Sequence, residues 1–230
     1  MFYTYQLAIY FMPKQADGAC LGLLKDVMAG LNAGKTYRFG GYGKHDRALL
    51  TEADTATLAR QGGLVRLRET KRLKALGIPH VNFNCSIINA YPNCTLVLLI
   101  PALSYNDRMF AAEIFEVLKD MAMAFIEKGE PHLIQLNGIG DEGEDEDSIL
   151  HPKRADLKAM PGFLAPYNYF DKEWISQAKV GALAPIARIS SYPGGNSVEI
   201  DNAKPMRDIN ALLADWSEGK ANTYYSRIMP

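Results

Sequence analysis

What this 230-residue sequence lacks excludes several classes of protein. It has no basic excess, because 25 Lys and Arg residues stand against 26 Asp and Glu residues, so it lacks the positive field with which proteins grip nucleic acid non-specifically. It has only three cysteines and no C-x-x-C spacing, so neither a disulfide framework nor a zinc ribbon is expected. No stretch reaches the roughly 18 apolar residues that span a bilayer. We therefore expect no nucleic-acid partner, no membrane partner and a reducing, cytoplasmic location.

Hydrophobic periodicity predicts the fold class. The alternating stretch YTYQLAIYF is typical of a first strand, and apolar residues at helical spacing follow from Cys20 to Leu31. VNFNCSII and NCTLVLLIP predict a hairpin around a Tyr-Pro-Asn turn, and TLVLLI, apolar on both faces, predicts a central strand. The longest predicted helix has its apolar stripe from Phe110 to Phe125 and ends at Gly129.

Less regular patterns predict the remaining helices and strands. TEADTATLARQ, residues 51–61, predicts a short helix, and ARISSY followed by Pro-Gly-Gly and NSVEID predicts a second hairpin. A last helix is expected from Pro205 to Glu218. The order predicts an α+β fold with a mixed, mainly antiparallel sheet and helices packed mostly on one face. We expect a single domain over residues 1–230, or two intimately packed halves with a boundary near 138–160.

Motifs for common chemistries are incomplete. AGKT at residues 33–36 resembles the end of a phosphate-binding loop, but a helix precedes it and a strand follows, the reverse of the required context. No G-x-S-x-G is present, and no histidine has a spacing that implies a catalytic partner. Cys85 and Cys94 lie in or beside predicted strands and are interpreted as core thiols.

Aromatic residues form one further group of interest. They are interpreted mainly as packing residues, although four of them lie near turn-rich sequence where an interface could use them. These four are Tyr167, Tyr169, Phe170 and Trp174.

A dense run of carboxylates at residues 141–147, here called the acidic segment, follows the predicted strand HLIQLNGIG. Its acidic members are Asp141, Glu142, Glu144, Asp145, Glu146 and Asp147. It fails as an EF-hand loop, because the sixth and twelfth positions from Asp141 are Glu146 and Pro152 rather than glycine and glutamate. Mutual repulsion among these charges falls when a basic surface arrives, so the acidic segment is our candidate partner-binding site. The alternative is a solvated loop with no partner.

An enzymatic alternative is a metal-dependent nuclease or hydrolase. In such enzymes an aspartate and a following D/E-x-K triplet hold a divalent ion and activate water. Asp141, Asp156 and Lys158 supply the residue types. The stretch RADLKAM, however, has a helical pattern where the triplet requires a strand.

The layout of the chain resembles bacterial polymorphic-toxin immunity proteins, in particular the immunity-52 family. The resemblance lies in YQLAIYF, CLGLLKDVMAGLN, YRFGGYG and ARQGGLVRL, and in the later hairpin and long helix. It implies a cytoplasmic, non-catalytic antidote that binds one cognate toxin. The implied toxin is restriction-endonuclease-like and is delivered by a type VI secretion system. Such an antidote covers the toxin's active site or blocks its assembly. The resemblance implies no cofactor and no catalytic residue, and it leaves the oligomeric state open.

Overall fold

The structure is a computed structural model. It describes residues 3–11, 19–40, 63–69, 71–75, 81–90, 93–103, 111–140, 164–201 and 203–218. The strands are β1 (Tyr3–Phe11), β2 (Phe39–Gly40), β3 (Gly63–Glu69), β4 (Val81–Ala90), β5 (Asn93–Leu103), β6 (Leu133–Gly140), β7 (Tyr167–Asp171), β8 (Ala187–Tyr192) and β9 (Gly195–Ile200). The helices are α1 (Ala19–Ala33), α2 (Arg72–Ala75), α3 (Ala111–Gly129), α4 (Gln177–Gly181) and α5 (Met206–Trp216).

All nine of these strands join one sheet, in the order β2-β3-β4-β5-β1-β6-β7-β9-β8. Every pairing described between them is antiparallel. β5 lies between β4 and β1, as its apolar sequence predicts, and β1 lies between β5 and β6. The α+β prediction with a mainly antiparallel sheet is confirmed. The sheet is continuous across the chain position near 138–160 where two halves were considered, and the domain division stays a prediction.

The two longest helices, α1 and α3, cover one face of the sheet. Odd-numbered residues of β1, such as Leu7 and Ile9, point into this core and are fully buried. They meet Leu24 of α1 and Met121 and Phe125 of α3, which are also fully buried. The apolar stripe read from the sequence of α3 is therefore the face that packs on the sheet.

The opposite face carries a second core, built with α4 and α5. Even-numbered residues of β1, such as Ala8 and Tyr10, belong to it together with Phe170 of β7. Leu213 and Trp216 of α5 pack in the same cluster. Both faces of β1 are thus buried. Helices were expected mostly on one face of the sheet, where α1 and α3 lie; α4 and α5 cover the second face as well.

One expectation about the cysteines is wrong. Cys20, at the start of α1, is disulfide-bonded, although the spacing of the cysteines gave no indication of a disulfide. Cys20 is also buried in the core beneath α1 and α3. The side chains of Cys85 and Cys94, expected to be core thiols, are outside the described set.

Within the described part of the chain, no helix has both the length and the apolar character needed to cross a bilayer.

Candidate functional site

The acidic segment lies in the connection between β6 and β7. Its six acidic residues are Asp141, Glu142, Glu144, Asp145, Glu146 and Asp147, and all of them fall outside the described residues, as do Asp156 and Lys158 of the nuclease alternative. The structure therefore tests neither the partner-binding prediction nor the metal-binding one. It does describe the two ends of this connection, at Gly140 of β6 and at Leu164 before β7, which are here called the frame.

The frame holds both ends of the connection at the same end of two neighbouring strands. β6 pairs with β1 up to Gly140, which lies opposite Tyr3, and Leu136 of β6 pairs with Tyr167 of β7. The returning chain is fixed at Leu164, which is fully buried in the second core. Residues 141–163 thus connect two adjacent antiparallel strands whose positions are set by the sheet.

Buried amides lie on the sheet beside this connection. Asn168 is fully buried; its side-chain oxygen accepts a hydrogen bond from the Ala165 backbone N–H (2.9 Å), and its Nδ2 donates to the Ala165 carbonyl (2.6 Å). Gln135 Nε2 donates to the same Asn168 oxygen at 3.4 Å. Gln6 is only 3% exposed, and none of the residues that the structure describes accepts a hydrogen bond from its Nε2. The Asn168 clamp fixes the point at which the chain re-enters the sheet, because buried amides are costly unless hydrogen-bonded.

An ion-pair cluster joins α2 to α3. Arg72 Nη1 lies 3.2 Å from Asp120 Oδ2, and Arg72 Nη2 lies 3.4 Å from Glu113 Oε2. Tyr37 donates its hydroxyl proton to Asp120 and accepts a hydrogen bond from Arg72 (2.5 Å). Burial, and then the hydrogen bond to Asp120, raise the pKa of Tyr37 well above its ordinary value. Arg72 is thus committed to partners within the chain, and the cluster has a structural role.

A second ion pair joins α3 to β9. Lys119 Nζ lies 2.8 Å from both carboxylate oxygens of Glu199. The two side chains are 16% and 24% exposed, so the pair is largely shielded from water. Lys119 also lies 3.8 Å from Glu116 Oε1, one helical turn away.

His132 is the histidine whose surroundings the structure describes. Its Nδ1 lies 3.5 Å from Asp171 Oδ2, and its ring stacks on Trp174 with centroids 4.5 Å apart. It is 8% exposed. The backbone of the same residue donates to Tyr10 and accepts from Asp171, which ties the start of β6 to its neighbours. We interpret this group as packing at the end of the sheet.

The aromatic residues considered for an interface are mainly core residues. Tyr167 and Tyr169 belong to the first core and Phe170 to the second, and each is at most 2% exposed. Trp174 alone among them is half-buried. Alternation along β7 explains this result, because both faces of this internal strand are covered.

A cleft of about 500 Å³ opens where β8 begins. Its charged lining consists of Arg188, Glu199, Asp201 and Lys204. Glu199 is already held by Lys119, and Asp201 Oδ1 accepts the Ala203 backbone N–H at 3.0 Å. The cleft therefore presents both signs of charge. Among the described residues, no group of three His, Cys, Asp or Glu side chains is arranged to hold a metal ion.

Comparison with known proteins finds similarity to solved structures at low sequence identity. No family model matches this chain, and no curated protein matches it. Among solved structures it is similar to the Pseudomonas aeruginosa T6SS protein PA0821, with a TM-score of 0.49 and 12% sequence identity. The match covers 98% of this chain and 78% of that one. Membership of the immunity-52 family stays a prediction.

Proposed function

We propose that this protein is an antidote that binds and neutralises one cognate secreted toxin, a nuclease effector of a type VI secretion system. It acts without catalysis, by covering the toxin's active site or by blocking its assembly. The acidic segment is the proposed contact. The observation that carries the proposal is six carboxylates in seven consecutive positions, placed between two adjacent strands of the sheet.

Charge complementarity gives the physical reason. A nuclease must attract phosphates, so its substrate-binding surface is basic. A run of carboxylates steers towards such a surface and raises the association rate, at low salt, by about 10-fold to 1,000-fold. The same carboxylates repel nucleic acid. A binder of this kind therefore competes for the surface that the toxin needs for its substrate.

The frame around the acidic segment supports this role. Gly140 is held in β6 by its pairing with β1, and Leu164 is buried at the return. Because the ends of the connection are already positioned, binding does not have to pay for ordering them. The cytoplasmic location expected from the sequence stays a prediction, and the disulfide at Cys20 counts against it, because disulfides are rare in reducing compartments.

The first experiment is purification of the tagged full chain from its native bacterium, with washes at low and at raised salt. We expect one stoichiometric secreted protein to co-purify and to be released more readily by salt. Association kinetics with that protein are then measured for the triple variant Asp145→Asn, Glu146→Gln and Asp147→Asn. We expect the association rate at low salt to fall about tenfold, with little change in dissociation.

The matched control removes the same charge elsewhere, with Glu127→Gln, Glu173→Gln and Asp215→Asn at exposed positions. This variant should associate at nearly the rate of the wild type. Equal rates for the wild type and the first triple variant would exclude the acidic segment as the contact. Recovery of no partner, together with magnesium-dependent nuclease activity that Asp141→Asn or Lys158→Ala abolishes, would replace the antidote by the enzyme.

A further inference from the structure

We propose that β8 is a dimer interface, at which the strand pairs antiparallel with β8 of a second copy of this chain. The two nine-stranded sheets would then join across a two-fold axis. This inference does not depend on the proposed function, because self-association needs no toxin.

β8 is the last strand of the sheet and pairs there with β9. Its register runs without a bulge from Ala187 opposite Ile200 to Tyr192 opposite Gly195. A two-residue turn closes the hairpin at the Tyr192–Gly195 pair, and such a closing pair is normally hydrogen-bonded. Alternation then turns the backbone N–H and C=O groups of Ala187, Ile189 and Ser191 away from β9.

The two ends of the sheet differ in their protection. At one end β2 is only two residues long, which leaves little edge to extend. β8 has six residues and contains neither proline nor lysine, the residues that commonly blunt an edge. Arg188, Ser190 and Ser191 are exposed, so their side chains do not cover the strand. Among the strands that the structure describes, β8 is therefore a long, regular edge that pairs on one side only, with β9.

The strand is complementary to itself. Three antiparallel registers bring at least two outward residues of each copy together, and they are centred on Arg188, on Ile189 and on Ser190. The register centred on Arg188 sets this charge opposite itself and is disfavoured by repulsion. In the register centred on Ile189, Arg188 lies opposite Ser190 of the second copy; in the register centred on Ser190, it lies opposite Tyr192, which adds an Arg–Tyr contact of the cation–π type. A second copy brings this edge at the protein's own concentration, which favours it over other strands.

The test is the molar mass of the full chain in solution over a wide range of concentration, by light scattering and sedimentation. We expect a concentration-dependent dimer of twice 25.5 kDa. Ser190→Lys should weaken it about tenfold, because the new charge faces Arg188 in the register centred on Ile189 and its own copy in the register centred on Ser190. Asn210→Lys, at an exposed position on α5, adds the same charge away from the edge and should leave the dimer intact.

Ser190→Glu separates these two registers. In the register centred on Ile189 the new carboxylate faces Arg188 and should strengthen the dimer, whereas in the register centred on Ser190 it faces its own copy and should weaken it. Circular dichroism of each variant verifies that the fold is retained.

Three results would overturn the proposal: a monomer at every concentration, a dimer that neither substitution at Ser190 changes, or protection of the β8 amides from hydrogen exchange only when the toxin is bound. The last result would make β8 a toxin contact. None of these results affects the co-purification test, so the dimer and the antidote can fail separately.

Discussion

Replacing Lys119 by methionine tests how firmly α3 is tied to the strands beside the edge of the sheet. The substitution removes the ammonium group that bonds both oxygens of Glu199 at 2.8 Å. It keeps an unbranched apolar stem of similar length, so the packing of α3 on the sheet should change little. Glu199 is left largely buried without its cation.

The exposure of the pair sets the expected magnitude. Breaking a fully buried ion pair costs about 3–5 kcal/mol, and an exposed pair contributes about 0–1 kcal/mol. Side chains that are 16% and 24% exposed lie between these limits, so we expect a loss of about 2 kcal/mol in the free energy of unfolding. For a chain of this size, that loss lowers Tm by roughly 4–8 °C.

Urea denaturation and thermal melting of the wild type and Lys119→Met provide the measurement. A double-mutant cycle with Glu199→Gln isolates the coupling between the two side chains. The control is Lys179→Met, because Lys179 pairs with Glu218 at 3.1 Å but these side chains are 31% and 70% exposed. The control should cost less than about 1 kcal/mol. If Lys119→Met costs no more than Lys179→Met, the argument from burial is refuted.

Three further predictions concern packing, pH and redox state. Gly195→Ala should lower the free energy of unfolding, measured by urea denaturation, by about 1–3 kcal/mol, because an added Cβ would collide with the Phe170 carbonyl oxygen. The control Gly22→Ala, with open space around the added Cβ, should be neutral or stabilising. Equal effects of the two substitutions would contradict this reasoning. Burial raises the pKa of Tyr169 to about 12, so the folded chain holds a proton that the unfolded chain loses near pH 10; stability should fall as pH rises from about 10 to about 12, and Tyr169→Phe should flatten that slope. A thiol reductant should destabilise the wild type by about 2–4 kcal/mol, and a Cys20→Ala variant that responds equally would exclude the disulfide as the cause.

Local pattern predicts much of this fold. The apolar stripe from Phe110 to Phe125 predicts α3, which ends at Gly129, and the helical spacing from Cys20 to Leu31 predicts α1. Turn residues give both hairpins, β4–β5 and β8–β9. These elements could be read because periodicity and turn chemistry are properties of neighbouring residues. The predicted helix at residues 51–61 lies outside the described residues.

Contacts between distant residues could not be read from the sequence. Arg72 meets Asp120 across 48 positions, and Lys119 meets Glu199 across 80, and no local spacing encodes either pair. Gln6 belongs to the even-numbered set of the β1 alternation, and the structure shows that this side of the strand is covered as well. For the acidic segment, composition indicates the sign of a partner's charge and nothing of its shape. The acidic segment is therefore proposed as a contact from its charge, whereas the fold is described from the pairing and packing of its residues.

The central position of β1 has a consequence for how the chain folds during synthesis. β1 comes before every other strand, yet it pairs with β5 and with β6, whose last residue is Gly140. In the sheet, β1 therefore joins β2 to β5 on one side to β6 to β9 on the other. The nascent chain must therefore keep an apolar strand unpaired on one side until β6 has left the ribosome, a long-range closure that slows folding and exposes the intermediate to aggregation. Chaperone demand during translation should accordingly be greatest before β6 emerges.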